Sequence, residues 1–107
     1  MIDARRDEVF TGIYDFSLNV IMQPQAMNIT ESSFAELLAL NKICFFGSGS
    51  NKWEAVCRYD NAIFRNWDYA YFNLAYLAWE AYQTRAFADL AYVQPDYLKE
   101  FFTYQKK

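Results

Sequence analysis

The sequence predicts an α/β fold in which antiparallel hairpin strands come first, a βαβα segment follows, and one mixed five-stranded sheet packs against helices. Three observations support this prediction. The chain has 107 residues, of which 54% are hydrophobic, so it can bury a single core and is treated as one domain over residues 1–107. β-forming residues dominate the first hairpin region. After residue 30, helical periodicity alternates with short apolar runs.

The first three strands are expected before residue 28. Residues 1–4 have the pattern of the end of a strand and are followed by a polar turn. Residues 8–14 are rich in β-formers and carry apolar side chains on both alternating faces, which predicts a strand covered on both faces. After a hairpin connection, residues 20–27 return as a third strand. Pro24 favours a position at the sheet edge, because proline supplies no ladder donor.

A helix and a buried parallel strand are expected next. Ser33 and Glu36 have the spacing of a capping box, with Thr30 as an alternative cap. The apolar residues that follow at helical spacing are Phe34, Leu37 and Leu38. Residues 42–46 then form a short apolar run, as expected for a buried parallel strand.

A Gly-x-Gly turn at residues 47–49 leads into a second helix. Ser48 or Ser50 can cap this helix, and its one-sided apolar stripe predicts a buried face. The stripe consists of Trp53, Val56 and Cys57. Residues 62–64 are predicted as the fifth strand.

The last predicted element is a long helix from about residue 68 to residue 86. One stripe of small and apolar residues is expected to lie against the sheet, and it consists of Ala70, Leu74, Leu77, Ala78 and Ala81. A second stripe consists of Tyr69, Phe72, Tyr76 and Trp79, where a surface helix usually carries charges. Either a C-terminal segment with Tyr97, Phe101 and Phe102 covers this aromatic stripe, or the stripe binds a partner. Intramolecular cover is favoured, because large bare apolar patches are rare on monomers.

Composition excludes several functional classes. The chain has no histidine, which rules out a Ser-His-Asp triad, a Cys-His pair and a histidine-based zinc helix. The net charge of −3 argues against direct nucleic-acid binding. Because no apolar stretch is long enough to cross a membrane and no signal core is present, a cytoplasmic protein is expected. Cys44 and Cys57 are expected to be free, buried thiols.

Three segments resemble one known family in order and spacing. They are Asp3-Ala4-Arg5-Arg6-Asp7-Glu8-Val9-Phe10, Ile43-Cys44-Phe45-Phe46-Gly47-Ser48-Gly49 and Ala91-Tyr92-Val93-Gln94-Pro95-Asp96-Tyr97-Leu98-Lys99. Together they resemble the C-terminal half of the TsaB (YeaZ) proteins of the glycoprotease family, over essentially the whole chain. Two positions depart from that family's pattern. Gln94 stands where a Glu is usual, and Tyr69-Ala70-Tyr71 replaces a Pro-Ser-Ala type of sequence.

The resemblance implies a ribonuclease H-like or actin-like ATPase fold of which the N-terminal half is absent. In that fold the first strand lies at the centre of the sheet, beside the strand expected at residues 42–46. This chain is expected to begin inside that first strand. Because unpaired backbone groups are costly when buried, either an N-terminal half has been lost or a second copy covers the defect.

The resemblance also places five residues near the cleft where related ATPases bind nucleotide. Asp3, Arg5 and Glu8 face the interdomain cleft, and Gly47 and Gly49 approach the adenosine. Asp3 and Glu8 could hold Mg²⁺ through water. The favoured interpretation is an Asp3–Arg5 or Arg5–Glu8 ion pair that fixes the turn, and turn geometry alone also explains the glycines. No catalytic or metal residue is assigned, and no cofactor is expected.

The favoured hypothesis is a non-catalytic scaffold subunit. The resemblance implies that it supports threonylcarbamoyl transfer to tRNA adenosine by a TsaD-type catalytic partner. A TsaE-like ATPase is a further candidate partner, and homodimer formation is expected. The interface candidates are Tyr69, Phe72, Tyr76, Trp79 and Tyr97. Two alternatives remain: a small Mg-dependent nucleotide-binding hydrolase of the actin-like ATPase superfamily, and an independent dimerisation module built on the aromatic helix.

Overall fold

The computed structural model describes residues 1–67 and 71–100, and within these ranges the fold is mixed α/β. The strands are β1 (Ile2–Asp3), β2 (Glu8–Tyr14), β3 (Val20–Asn28), β4 (Ile43–Phe45) and β5 (Ala62–Phe64), and the helices are α1 (Ala35–Leu40), α2 (Ser50–Val56) and α3 (Tyr71–Gln83). The chain divides into two compact units. Unit 1 comprises residues 1–67 together with the described residues from Leu98 onward, and unit 2 comprises the described residues up to Tyr97.

The first three strands form an antiparallel sheet in the order β1-β2-β3. β1 pairs with the first half of β2, with Ile2 opposite Phe10, while β3 follows β2 along its whole length. β3 is therefore an edge strand in this sheet, as Pro24 predicted. The pairing of β2 with β3 shifts register twice near the hairpin end, where Pro24 packs close to Gly12.

The other two strands form a separate parallel pair, so the expected single five-stranded sheet is wrong in this detail. β4 and β5 pair in parallel register, with Cys44 opposite Ile63. The described strands form two sheets because β1 has only two residues and meets the chain beyond β4 instead of β4 itself. The Met1 amine donates to the carbonyl of Phe46 at 2.7 Å, and the Gly49 N–H donates to the carbonyl of Met1 at 3.2 Å.

The core of unit 1 lies on one side of the strands. Its buried apolar residues are Val9, Ile29, Phe34, Leu38, Phe45 and Trp53. The rings of Phe34, Phe45 and Trp53 contact one another, with centroids 5.3 to 6.0 Å apart. Such pairs contribute about 0.5–1.5 kcal/mol each beyond the area they bury. This aromatic cluster joins α1, β4 and α2 into one core.

Among the described residues, the opposite side of the strands is less buried than the core side, which corrects two expectations. From Glu8 to Gly12 the residues of β2 alternate between half-buried and buried, and Tyr14 is exposed, so neither face of this strand is covered along its whole length. Cys44 and Cys57 are free thiols as expected, but Cys44 is exposed and Cys57 is half-buried. Cys44 is exposed because its side chain leaves β4 on the face away from the core, as alternation along a strand requires.

The helix starts differ from those predicted. Ser33 forms no capping box with Glu36; its hydroxyl accepts a hydrogen bond from the Thr30 N–H at 2.9 Å. α1 starts after Phe34, whose left-handed backbone (φ 61°) places its ring in the core. α2 likewise has no side-chain cap, because the Ser50 hydroxyl donates to the Gly47 carbonyl. Trp53 is fully buried, which confirms the predicted apolar stripe of α2.

In unit 2, α3 spans thirteen residues and has no buried side chain. Leu74 and Leu77 of the predicted stripe are 69% and 61% exposed. Ala70 of the same stripe lies outside the described residues. Within the described residues, no helix is both long enough and apolar enough to span a membrane.

Candidate functional site

The turn between β1 and β2 is held by a lysine from α2. Lys52 Nζ lies 2.5 Å from a carboxylate oxygen of Asp3 and donates to the carbonyls of Ala4 at 2.7 Å and Glu8 at 3.1 Å. One ammonium group therefore binds both ends of the turn, which Arg6 closes with a left-handed backbone (φ 55°). The lysine reaches this turn because α2 starts beside β1.

The predicted ion pairs of Arg5 are absent from the described part of the chain. Asp3 pairs with Lys52, and Glu8 pairs with Lys99, whose Nζ donates to both carboxylate oxygens at 2.8 and 2.7 Å. Arg5 is exposed at the tip of the turn. The prediction of an Arg5 ion pair considered only residues close in sequence. Both lysines are far from the turn in the chain, and only the tertiary fold brings them to it.

The Gly-x-Gly turn serves the packing of β1. Gly47 has a positive φ of 94°, and a Cβ at this position would collide with the carbonyl oxygen of Met1. A Cβ on Gly49 would lie 3.0 Å from the backbone of Ile2 and from Val9. The Ser48 hydroxyl accepts a hydrogen bond from the Asp3 N–H at 3.0 Å. The turn thus packs against β1 and is hydrogen-bonded to it. This is the structural role that the sequence analysis set beside a nucleotide contact.

Asp3 and Glu8, the carboxylates considered for Mg²⁺, already have cationic partners. Among residues 1–67 and 71–100 no group of three or more potential ligands is placed to hold a metal ion. A magnesium ion would have to displace Lys52 from Asp3 or Lys99 from Glu8. The five cleft candidates do come together, because β1 packs between the start of β2 and the glycine turn.

The aromatic interface candidates of unit 2 are exposed. Phe72, Tyr76, Trp79 and Tyr97 are 77%, 54%, 60% and 64% exposed. Trp79 also stacks on Tyr82, with ring centroids 6.0 Å apart. Tyr69 of this stripe, and Phe101 and Phe102 of the segment expected to cover it, lie outside the described residues.

Sequence reasoning missed a groove in unit 1. It has a volume of about 720 Å³ and lies between the second half of β2 and the edge of β4 that faces away from β5. Its walls are mainly apolar and include Ile13, Leu37, Ile43 and Phe46. The sequence carries no local signal for this groove, because the separation of the two strands depends on the tertiary fold.

The Met1 amine lies at one end of this groove. Burial lowers the pKa of this amine from its ordinary value of 8.0, because desolvation disfavours the charged form. The amine keeps one strong partner, the Phe46 carbonyl. The groove therefore ends at a polar group that already makes a strand-like hydrogen bond.

Comparison with known proteins adds no relative to these observations. The chain matches no family model, and the searches of curated proteins and of solved structures found no match. The resemblance to the TsaB type of protein accordingly depends on the three quoted segments alone.

Proposed function

We propose that this protein is a non-catalytic, cytoplasmic binding subunit that acts by contacting other proteins. The single observation that carries the proposal is the exposed aromatic face of α3, the α3 surface, formed by Tyr71, Phe72, Tyr76 and Trp79. Large exposed apolar patches are typical of interaction sites, and tyrosine and tryptophan supply much of the binding energy where proteins meet.

The charge arrangement in unit 1 also favours this proposal over catalysis. Both candidate acidic residues are neutralised by lysines, and Gly49 donates its N–H to the Met1 carbonyl. A hydrolase built here would need these groups free for metal and phosphate. In the described structure, these groups instead contact other parts of the same chain: Lys52, Lys99 and the Met1 carbonyl.

The narrower form of the proposal is a subunit similar to TsaB in tRNA threonylcarbamoylation, with a ribonuclease H-like half-domain fold. Its support is the three-segment resemblance and one geometric agreement. In that fold the first strand lies beside the strand at residues 42–46, and here the β1 backbone is hydrogen-bonded to the chain immediately after β4. A TsaD-type catalytic protein is the partner this form of the proposal names.

Titration calorimetry with a purified TsaD-type protein tests the proposal. Binding is expected, and replacing Phe72 and Trp79 by Ser should weaken it at least about tenfold, because interface aromatics contribute about 2 kcal/mol or more each. The matched control replaces Phe16 and Leu40 by Ser, since both are exposed apolar residues of unit 1. Equal binding by all three proteins, or no binding, would contradict the proposal.

A second titration separates the enzyme alternative. The chain alone is mixed with ATP and Mg²⁺, and neither heat of binding nor phosphate release is expected. Saturable binding that is lost in an Asp3→Asn variant would instead favour a nucleotide-binding hydrolase. Sedimentation of the chain alone tests the dimerisation module, which predicts a concentration-dependent dimer through the α3 surface.

A further inference from the structure

We draw no further inference here: the strongest candidate, the tip of the hairpin between β2 and β3, where Phe16 and Leu18 are exposed on a backbone that the Asp15 carboxylate holds by hydrogen bonds, carries nothing because nothing in the structure shows what covers these two side chains.

Discussion

At the scale of single residues, Trp53 holds the largest share of the core. It is fully buried, contacts the rings of Phe34 and Phe45, and lies near Tyr59. Its indole N–H has no hydrogen-bond partner in the described structure. Trp53 thus combines the greatest packing contribution with one unsatisfied donor, and the two effects on stability have opposite signs.

We therefore expect Trp53→Ala to lower the free energy of unfolding by about 3–5 kcal/mol, through the cavity it leaves. Trp53→Phe should cost only about 1–2 kcal/mol, because it leaves a smaller cavity and, like Ala, removes the buried unpaired donor. Urea unfolding followed by circular dichroism measures both. Equal losses for the two variants would contradict the cavity account, because both remove the indole N–H and only the size of the cavity differs.

Among the three glycines, Gly47 leaves the least room for a side chain. Its positive φ and the nearby Met1 carbonyl both oppose a side chain. Gly47→Ala should destabilise the protein by at least about 1–2 kcal/mol, the cost of a left-handed backbone for an L-residue. Gly12→Ala is the comparison, since its φ is ordinary and its Cβ would meet Pro24 at 3.3 Å. A smaller loss for Gly47→Ala than for Gly12→Ala would refute this account.

At the scale of elements, Lys52 connects α2 to the turn between β1 and β2. Lys52→Met keeps the aliphatic stem but loses one ion pair and two hydrogen bonds to carbonyls. The expected cost is about 1–3 kcal/mol in unfolding free energy, larger than for an ordinary surface pair. Lys42→Met, at an exposed lysine of unit 1, should change stability by less than about 0.5 kcal/mol.

The hairpin between β2 and β3 depends on Asp15. Its carboxylate accepts hydrogen bonds from the Asn19 side chain and from the backbone N–H groups of Asn19 and Ser17, at 2.8 to 2.9 Å. These bonds, the Asn19 side chain first, lower the pKa of Asp15 below its ordinary value of 3.8. Because the folded pKa is the lower one, the stabilisation is present above pH 3.8 and is lost as the pH falls through the folded value.

Amide exchange of Ser17 and Asn19 should therefore show loss of protection only at the acidic end of a titration from pH 6 to pH 2. The comparison is Asp15→Asn, whose side chain does not titrate and should show no such transition. A transition of the same midpoint in both proteins would assign the change to another group.

At the scale of the whole molecule, the buried side chains of the described residues are concentrated in unit 1. The buried residues belong to β2, α1, β4, α2 and their connections, whereas α3 buries none. Native-state hydrogen exchange should protect Leu38 and Phe45 most strongly, and the amides of α3 should exchange at least about a hundredfold faster. Similar protection in both units would contradict this division.

The sequence predicted elements better than their assembly. The bounds of β2 and β5, the edge position of β3 and the buried face of α2 all follow from periodicity, proline chemistry and β-propensity. The partners of Asp3 and Glu8 could not be found this way, because ion pairing depends on which distant lysine the fold delivers. The left-handed Phe34 likewise follows from packing in the core and not from its local sequence. The groove lies between two strands whose separation no local pattern encodes.

The outer edge of β3 affects how this protein can pair with other chains. Pro24 lacks an N–H, and the two register shifts beside it bend the strand, so this side is a poor template for a neighbouring chain. Unlimited stacking into fibrils requires two compatible edges on every molecule. With one edge blunted in this way, the antiparallel sheet can be lengthened on the other flank only, and growth stops after a single addition.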